Sequence, residues 1–155
     1  MATWIKEKKY DREIKWILFL ISPFIGFIAS LKDIKTKSSY IIFFLFFVLF
    51  GLSFTVPSGK QGAVTIDGAA YREQFELFRY VSSSEFKQGL TAYFTFTTGI
   101  KDYYFNTIAF YVSRITSNYH VMFMVFAIIF AFFSIKTLKI FITEDNFDSS
   151  LCCYI

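Results

Sequence analysis

The chain has 155 residues, 55% of them hydrophobic, 23% aromatic and 18% charged, with 23 Phe and a formal net charge of +4. Soluble chains carry about 25% charged residues, and a domain of this size buries only about two-thirds of its unfolded surface, so Phe in near-continuous runs excludes an ordinary water-soluble globule. The positive charge is scattered without a basic cluster, which excludes a nucleic-acid footprint and fits membrane orientation and contact with anionic head groups.

The segment up to Glu13 is polar and mixed in sign. From Ile14 to Leu31 the chain turns apolar, with Lys15 and Trp16 where a snorkelling amine and an interfacial indole belong. Eighteen residues rise about 27 Å, enough for a first span with flanking help, and Pro23 predicts a kink near Phe19 to Pro23. A secretory signal ending at Ile28-Ala29-Ser30 is the competing reading; the run exceeds a usual signal core and a second span follows at once. A short connection carries Lys32, Asp33, Lys35 and Lys37, and residues 40–56 then run without a charge as the clearest span, closed by Pro57-Ser58-Gly59.

Residues 57–119 contain no run able to cross a bilayer, yet they stay rich in aromatics. Asp67 is placed to cap a helix reaching about Val81, with Arg72, Glu76 and Arg79 on one face. Ser82-x-x-Glu85 has the form of a capping box. Asp102 is placed to cap a third helix reaching Thr116, with Phe105, Ile108, Ala109, Val112 and Thr116 on one stripe and Asn106, Ser113 and Ser117 on another. The predicted arrangement is a loop of short amphipathic helices lying on the membrane or dipping into it. A third span covers 120–142, with Lys136 and Lys139 near its head-group end. The acidic stretch after it gives way to Leu151-Cys152-Cys153-Tyr154-Ile155, which reads as the start of a fourth span, so 1–155 reads as one truncated membrane domain. Two adjacent cysteines offer no metal-ligand spacing. Charge counting leaves orientation open: Lys6, Lys8, Lys9 and Arg12 precede the first span with Lys15 at its entrance, and three Lys follow it.

The order of elements, with Gly51-Leu52 closing the second span, Asp67-Gly68-Ala69-Ala70-Tyr71, an amphipathic stretch from Asp102 to Tyr119, and a Lys-bearing exit from the third span, resembles the N-terminal part of the EpsG-like exopolysaccharide polymerase family. These are relatives of the Wzy-type O-antigen and capsule polymerases. The family pattern has Gly-Leu-Arg, then Asp-x-x-x-Tyr; here Ser53 stands in the Arg position. The resemblance implies an all-α, multi-pass protein of the bacterial inner membrane, of which this chain is the N-terminal portion and inactive alone. It puts loop 57–119 on the extracytoplasmic side, the Lys32–Lys37 connection in the cytoplasm and the N-terminus outside. The implied function is exopolysaccharide, capsule or O-antigen biosynthesis, joining repeat units carried on undecaprenyl diphosphate. The implied partners are that lipid-linked glycan, the bilayer and other polysaccharide-assembly membrane proteins.

Such a transfer needs cations for a diphosphate leaving group and a base for the acceptor hydroxyl. Arg72, Arg79 and Arg114 are the cations, since a guanidinium fork grips phosphate oxygens; their plainer reading is a solvated charged face. Asp67 is the candidate catalytic base, and equally a helix cap. Tyr71 completes the Asp-x-x-x-Tyr pattern. His120, the single histidine, joins the substrate-binding set beside Tyr119 or is an interfacial structural residue. Tyr93, Phe94, Phe96, Tyr103 and Tyr104 serve as stacking platforms for sugar rings or as interfacial anchors. No phosphate-binding loop, nucleophile elbow, dinucleotide fingerprint or zinc-protease motif occurs, so no metal or cofactor is expected. The alternative is a small non-catalytic integral membrane protein acting as scaffold or anchor.

Overall fold

The computed structural model describes residues 6–56, 67–97 and 103–144, with the side chains of Asp67 and of 141–144 left out. The described residues form seven helices and no strand: α1 (Lys9–Ile21), α2 (Pro23–Lys32), α3 (Lys37–Ser53), α4 (Asp67–Phe78), α5 (Ser83–Phe94), α6 (Tyr104–Ile115) and α7 (Tyr119–Glu144). They fall into two compact units, Met1–Gly51 with Phe126–Ile155, and Leu52–Val125. Within α7, Tyr119–Ile140 is a 22-residue helix long and apolar enough to cross a membrane, with 11% of its most apolar stretch buried against protein. The sequence expectation of a span at 120–142 therefore coincides with α7. Its expected successor at 151–155 lies outside the described residues, as do Pro57-Ser58-Gly59 and Asp102.

The single kinked span expected over 14–31 is not what forms. The helix stops at Ser22, whose backbone is extended (φ −150°, ψ 112°) and whose hydroxyl caps α2 by accepting from the Ile25 N–H. Pro23 then takes the first helical position, where a missing N–H costs nothing. The chain folds back instead of bending. A Cβ on Gly26 would lie 2.5 Å from the Phe19 Cα and 2.7 Å from its nitrogen, so the two backbones touch where only glycine fits. At the open end Lys15 Nζ lies 3.3 Å from Asp33 Oδ2; in one continuous helix those positions would be about 27 Å apart. The first apolar run is thus a helical hairpin, with arms of 13 and 10 residues.

The base of this hairpin is closed by a buried amine. Lys15, 4% exposed, donates to Glu7 Oε1 (2.7 Å), Thr36 Oγ1 (3.2 Å) and Ser39 Oγ (3.0 Å). The Thr36 hydroxyl reaches the Asp33 carbonyl (3.0 Å), and Ser38 donates to the other Glu7 oxygen. An ammonium is tolerated in a protein interior only when paired and hydrogen-bonded in this way. Above the base, Phe27 of α2 stacks on Phe46 of α3 (centroids 4.3 Å) and meets Phe47 edge-on (5.9 Å). Phe47 reaches Phe130 of α7 (5.1 Å), and Lys139 lies over the Tyr40 ring (5.2 Å), so α3 and α7 run antiparallel. α3 has 17 residues, a rise of about 26 Å; it begins and ends three residues before the expected 40–56 and is a shorter apolar helix than α7.

The second unit turns the expected surface loop into a packed helical cluster. The predicted capping box forms: Glu85 N–H donates to Ser82 Oγ (3.2 Å) and Ser82 N–H to Glu85 Oε2 (2.7 Å). That backbone N–H holds the Glu85 carboxyl below the usual carboxylate range. Phe86, Tyr103 and Phe110 are the core, with Phe86 and Phe110 stacked at 4.0 Å, and Phe78, Val81, Leu90 and Tyr93 pack around them. Burial pushes the Tyr103 hydroxyl pKa upward. Two expectations are corrected. α4 ends at Phe78, so Arg79 lies in the turn and not on the helix face shared by Arg72 and Glu76. On α6 the buried set is Asn106, Ala109, Phe110 and Val112; Asn106, assigned to the polar stripe, points inward because Gln74 Nε2 of α4 donates to its Oδ1 (2.9 Å).

α5 ends in a Schellman arrangement, with Phe96 N–H on Tyr93 O (3.1 Å) and Thr97 N–H on Ala92 O (3.0 Å). This leaves Phe96 at φ +55° and 93% exposed. A left-handed conformation costs a non-glycine residue about 1–2 kcal/mol, and glycine returns about 0.5–1 of that as chain entropy. Phe96→Gly should therefore stabilise the end of α5 by roughly 0.5–1 kcal/mol. Hydrogen exchange of the last α5 amides is expected to slow severalfold; unchanged or faster exchange would show the Phe96 ring to be held by packing.

Candidate functional site

The second unit assembles its polar chemistry where the end of α3, the first turns of α4 and the first turn of α7 meet. Gly68 opens this corner: a Cβ there would lie 3.0 Å from Val56 Cγ1, so the start of α4 approaches the chain after α3 closely. Arg72, one turn further on, reaches across it. Its NH1 donates to the Val56 carbonyl (3.2 Å), its Nε to Glu76 Oε1 (3.1 Å), and its guanidinium carbon stands 4.5 Å from the centre of the Tyr119 ring. The side chain is 26% exposed, which places the cation–π contact in a partly desolvated setting worth about 1–2 kcal/mol. A guanidinium carries five N–H donors, and two find partners among the described residues.

Tyr119 is held in turn by His120, whose ring stacks on it at 4.1 Å and 28°. Both stand in the first turn of α7 because Asn118 caps it: the Asn118 Oδ1 accepts from the His120 N–H (3.0 Å), and the Asn118 N–H donates to Thr116 Oγ1 (3.1 Å). The His120 Nδ1 is buried and has no hydrogen-bond partner among the described residues. A buried ring nitrogen without a partner costs about 1–3 kcal/mol, so it is a site for a donor from beyond the described residues. The result is a column of Glu76, Arg72, Tyr119 and His120.

Of the residues singled out in the sequence, Arg72 and His120 are brought together, through Tyr119. Asp67 begins α4 five positions before Arg72; its side chain is outside the described residues. Tyr71 turns away, its ring 4.8 Å from Phe105 of α6. Arg114 is engaged by the fold: NH1 donates to the Arg79 carbonyl (3.2 Å), NH2 to the Val81 carbonyl, and the guanidinium lies 4.6 Å over Phe110. It closes the α4–α5 turn, and the Arg79 side chain is exposed on that turn. The Val56 carbonyl, Glu76 and Asn118 were missed as members of the site. The i, i+4 spacing of Arg72 and Glu76 carried a signal for one of them, and Asn118 directly before an apolar run carried a signal for another. In the first unit the buried Lys15 cluster was missed entirely, although Thr36, Ser38 and Ser39 bunch hydroxyls about the start of α3. Comparisons with protein-family models, with curated proteins and with solved structures return no match for this chain.

Proposed function

We propose that this chain is the N-terminal part of a multi-pass membrane enzyme that joins lipid-linked glycan repeat units, the EpsG-like reading of its sequence. In this reading α3 crosses with α7, and the Arg72 column lies at head-group depth. The observation that carries it is a partly buried guanidinium, held over Tyr119 with three N–H donors unpartnered among the described residues, at the N-terminal end of the apolar α7. A diphosphate carrier needs such a group: as the acceptor hydroxyl oxygen attacks the anomeric carbon, the bond from that carbon to the carrier diphosphate breaks. Arg72 then neutralises the charge left on the departing diphosphate, while the hydroxyl proton passes to a base, for which Asp67 on the same helix is the candidate. Arg114, two of whose N–H groups hold the α4–α5 turn, and the exposed Arg79 are further candidate cations outside this column.

Arg72→Ala, expressed in cells whose long-chain polysaccharide depends on this gene, should cut polymer output by about 10²-fold, the usual cost of losing one charge-stabilising donor. Membrane abundance should be unchanged, and Arg72→Lys should recover part of the output. Full-length polymer in both Arg72→Ala and Asp67→Ala would sink the reading and leave the scaffold alternative. That alternative draws its support from the Arg114 clamp, where two N–H groups of a candidate cation are spent on backbone carbonyls of the α4–α5 turn.

A further inference from the structure

The hairpin of α1 and α2 separates its chemistry sharply along its length. At the turn, Leu20 is 81%, Ile21 74% and Phe24 61% exposed, with Ile25 and Ile28 also uncovered. At the base stand the buried Lys15 cluster, the exposed charges of Lys9, Arg12, Lys32 and Lys35, and Trp16. Arg12, Trp16, Lys37, Ser38, Glu7 and Ile41 line a cavity of about 310 Å³ there. From Lys15 to the turn the arm rises about 10 Å, and α2 rises about 15 Å. One leaflet of a hydrocarbon core of about 30 Å is about 15 Å deep. Depth, bare apolar turn and charged base match a single leaflet.

We infer that the hairpin is a re-entrant wedge whose apolar turn is covered by the acyl chains of one leaflet, entering and leaving by the same face. The inference rests on the proposed crossing of α3 and α7, and it changes their topology. The N-terminal segment and the α2–α3 connection now share a face, and the antiparallel pairing of Tyr40 with Lys139 brings the far end of α7 to it. That face holds Lys6, Lys8, Lys9, Arg12, Lys15, Lys32, Lys35, Lys37, Lys136 and Lys139, ten of the sixteen Lys and Arg; the other six are spread over the long segment 57–118. Orientation, undecided when the first run was counted as a span, is then set by the positive-inside rule. The N-terminus is cytoplasmic, and the Arg72 column is extracytoplasmic.

The test uses the whole chain in membranes, with Cys152→Ser and Cys153→Ser as background and single cysteines placed by Lys9→Cys, Lys35→Cys, Lys87→Cys and Leu20→Cys. A membrane-impermeant maleimide applied to spheroplasts and to inverted vesicles should label positions 9 and 35 from the cytoplasmic face and position 87 from the opposite one. A bimane on position 20, in phosphatidylethanolamine–phosphatidylglycerol vesicles, should be quenched by nitroxide on the lipid chains. Labelling of positions 9 and 35 from opposite faces overturns the wedge, whatever position 87 shows. Position 20 labelled by the aqueous maleimide, or crosslinked to a second copy without lipid quenching, overturns it as well. Position 87 on the face of position 35 overturns the crossing of α3 alone, and the comparison of 9 with 35 still decides the hairpin.

Discussion

Lys15→Met will destabilise the first unit by about 3–5 kcal/mol, the cost of removing one partner of a buried ion pair. The side chain is 5% exposed and Glu7 11%, so the amine that leaves strands a carboxylate with little water to take its place. Asp33 contributes less: its own side chain is 57% exposed, and a pair so open to water is worth no more than about 1 kcal/mol. The expected order is therefore Lys15→Met first, Glu7→Gln next and Asp33→Asn last, read from denaturant unfolding in detergent micelles by tryptophan fluorescence. The double variant Lys15→Met with Glu7→Gln should cost well under the sum of the singles, because the second change removes the charge that the first one stranded. A Lys15→Met loss below about 1 kcal/mol would place the cluster among ordinary surface pairs.

Gly26→Leu will open the α1–α2 hairpin. The atoms a Cβ would strike are the Phe19 Cα, Cβ and nitrogen, at 2.5–2.7 Å, and no rotamer change moves two backbone atoms aside. Overpacking a well-filled site costs about 1–3 kcal/mol, and relief here requires the arms to part, with the Lys15 cluster at stake too. Gly89→Ala is the contrasting variant. There the new Cβ meets the Tyr103 hydroxyl at 2.5 Å, the end of a side chain that can swing, and the gain of about 0.5–1 kcal/mol in helix propensity offsets part of the cost. Spin labels replacing Arg12 and Lys32 should report a longer distance in Gly26→Leu and none in Gly89→Ala. An unchanged distance in Gly26→Leu would mean that the arms are not held by their backbone contact.

What the sequence revealed of the fold follows the range of the interaction. The capping box at Ser82 and Glu85 and the apolar α7 are written in neighbouring residues, and each was legible, whereas at Pro23 only a kink was read. The fold-back at Ser22 was not, because it depends on Gly26 meeting Phe19 and on Lys15 reaching Thr36 and Ser39, pairings that no helical period encodes. The site divides in the same way. Arg72 with Glu76 is one turn of helix, whereas Arg72 over Tyr119 joins residues far apart in the chain. Arg114 illustrates the converse: a guanidinium read from sequence as a phosphate ligand also holds two carbonyls of a distant turn, a contact no local pattern announces. Asn106 was misread because its partner, Gln74, is on another helix.

The ring cluster joining α2 to α3 has a bearing on how that part of the chain assembles. In water, two Phe side chains associate chiefly because water is released, and that gain vanishes in hydrocarbon, where lipid tails are as apolar as the rings. What survives the change of solvent is the interaction of ring quadrupoles and dispersion, about 0.5–1.5 kcal/mol per pair beyond area burial. Phe27 has three such neighbours, stacked on Phe46, edge-on to Phe47 and tilted on Phe43. An aliphatic seam in hydrocarbon keeps only its packing contacts; this one would keep the ring interactions as well. α2 and α3 are thus joined by contacts that keep part of their strength in an apolar as well as an aqueous medium.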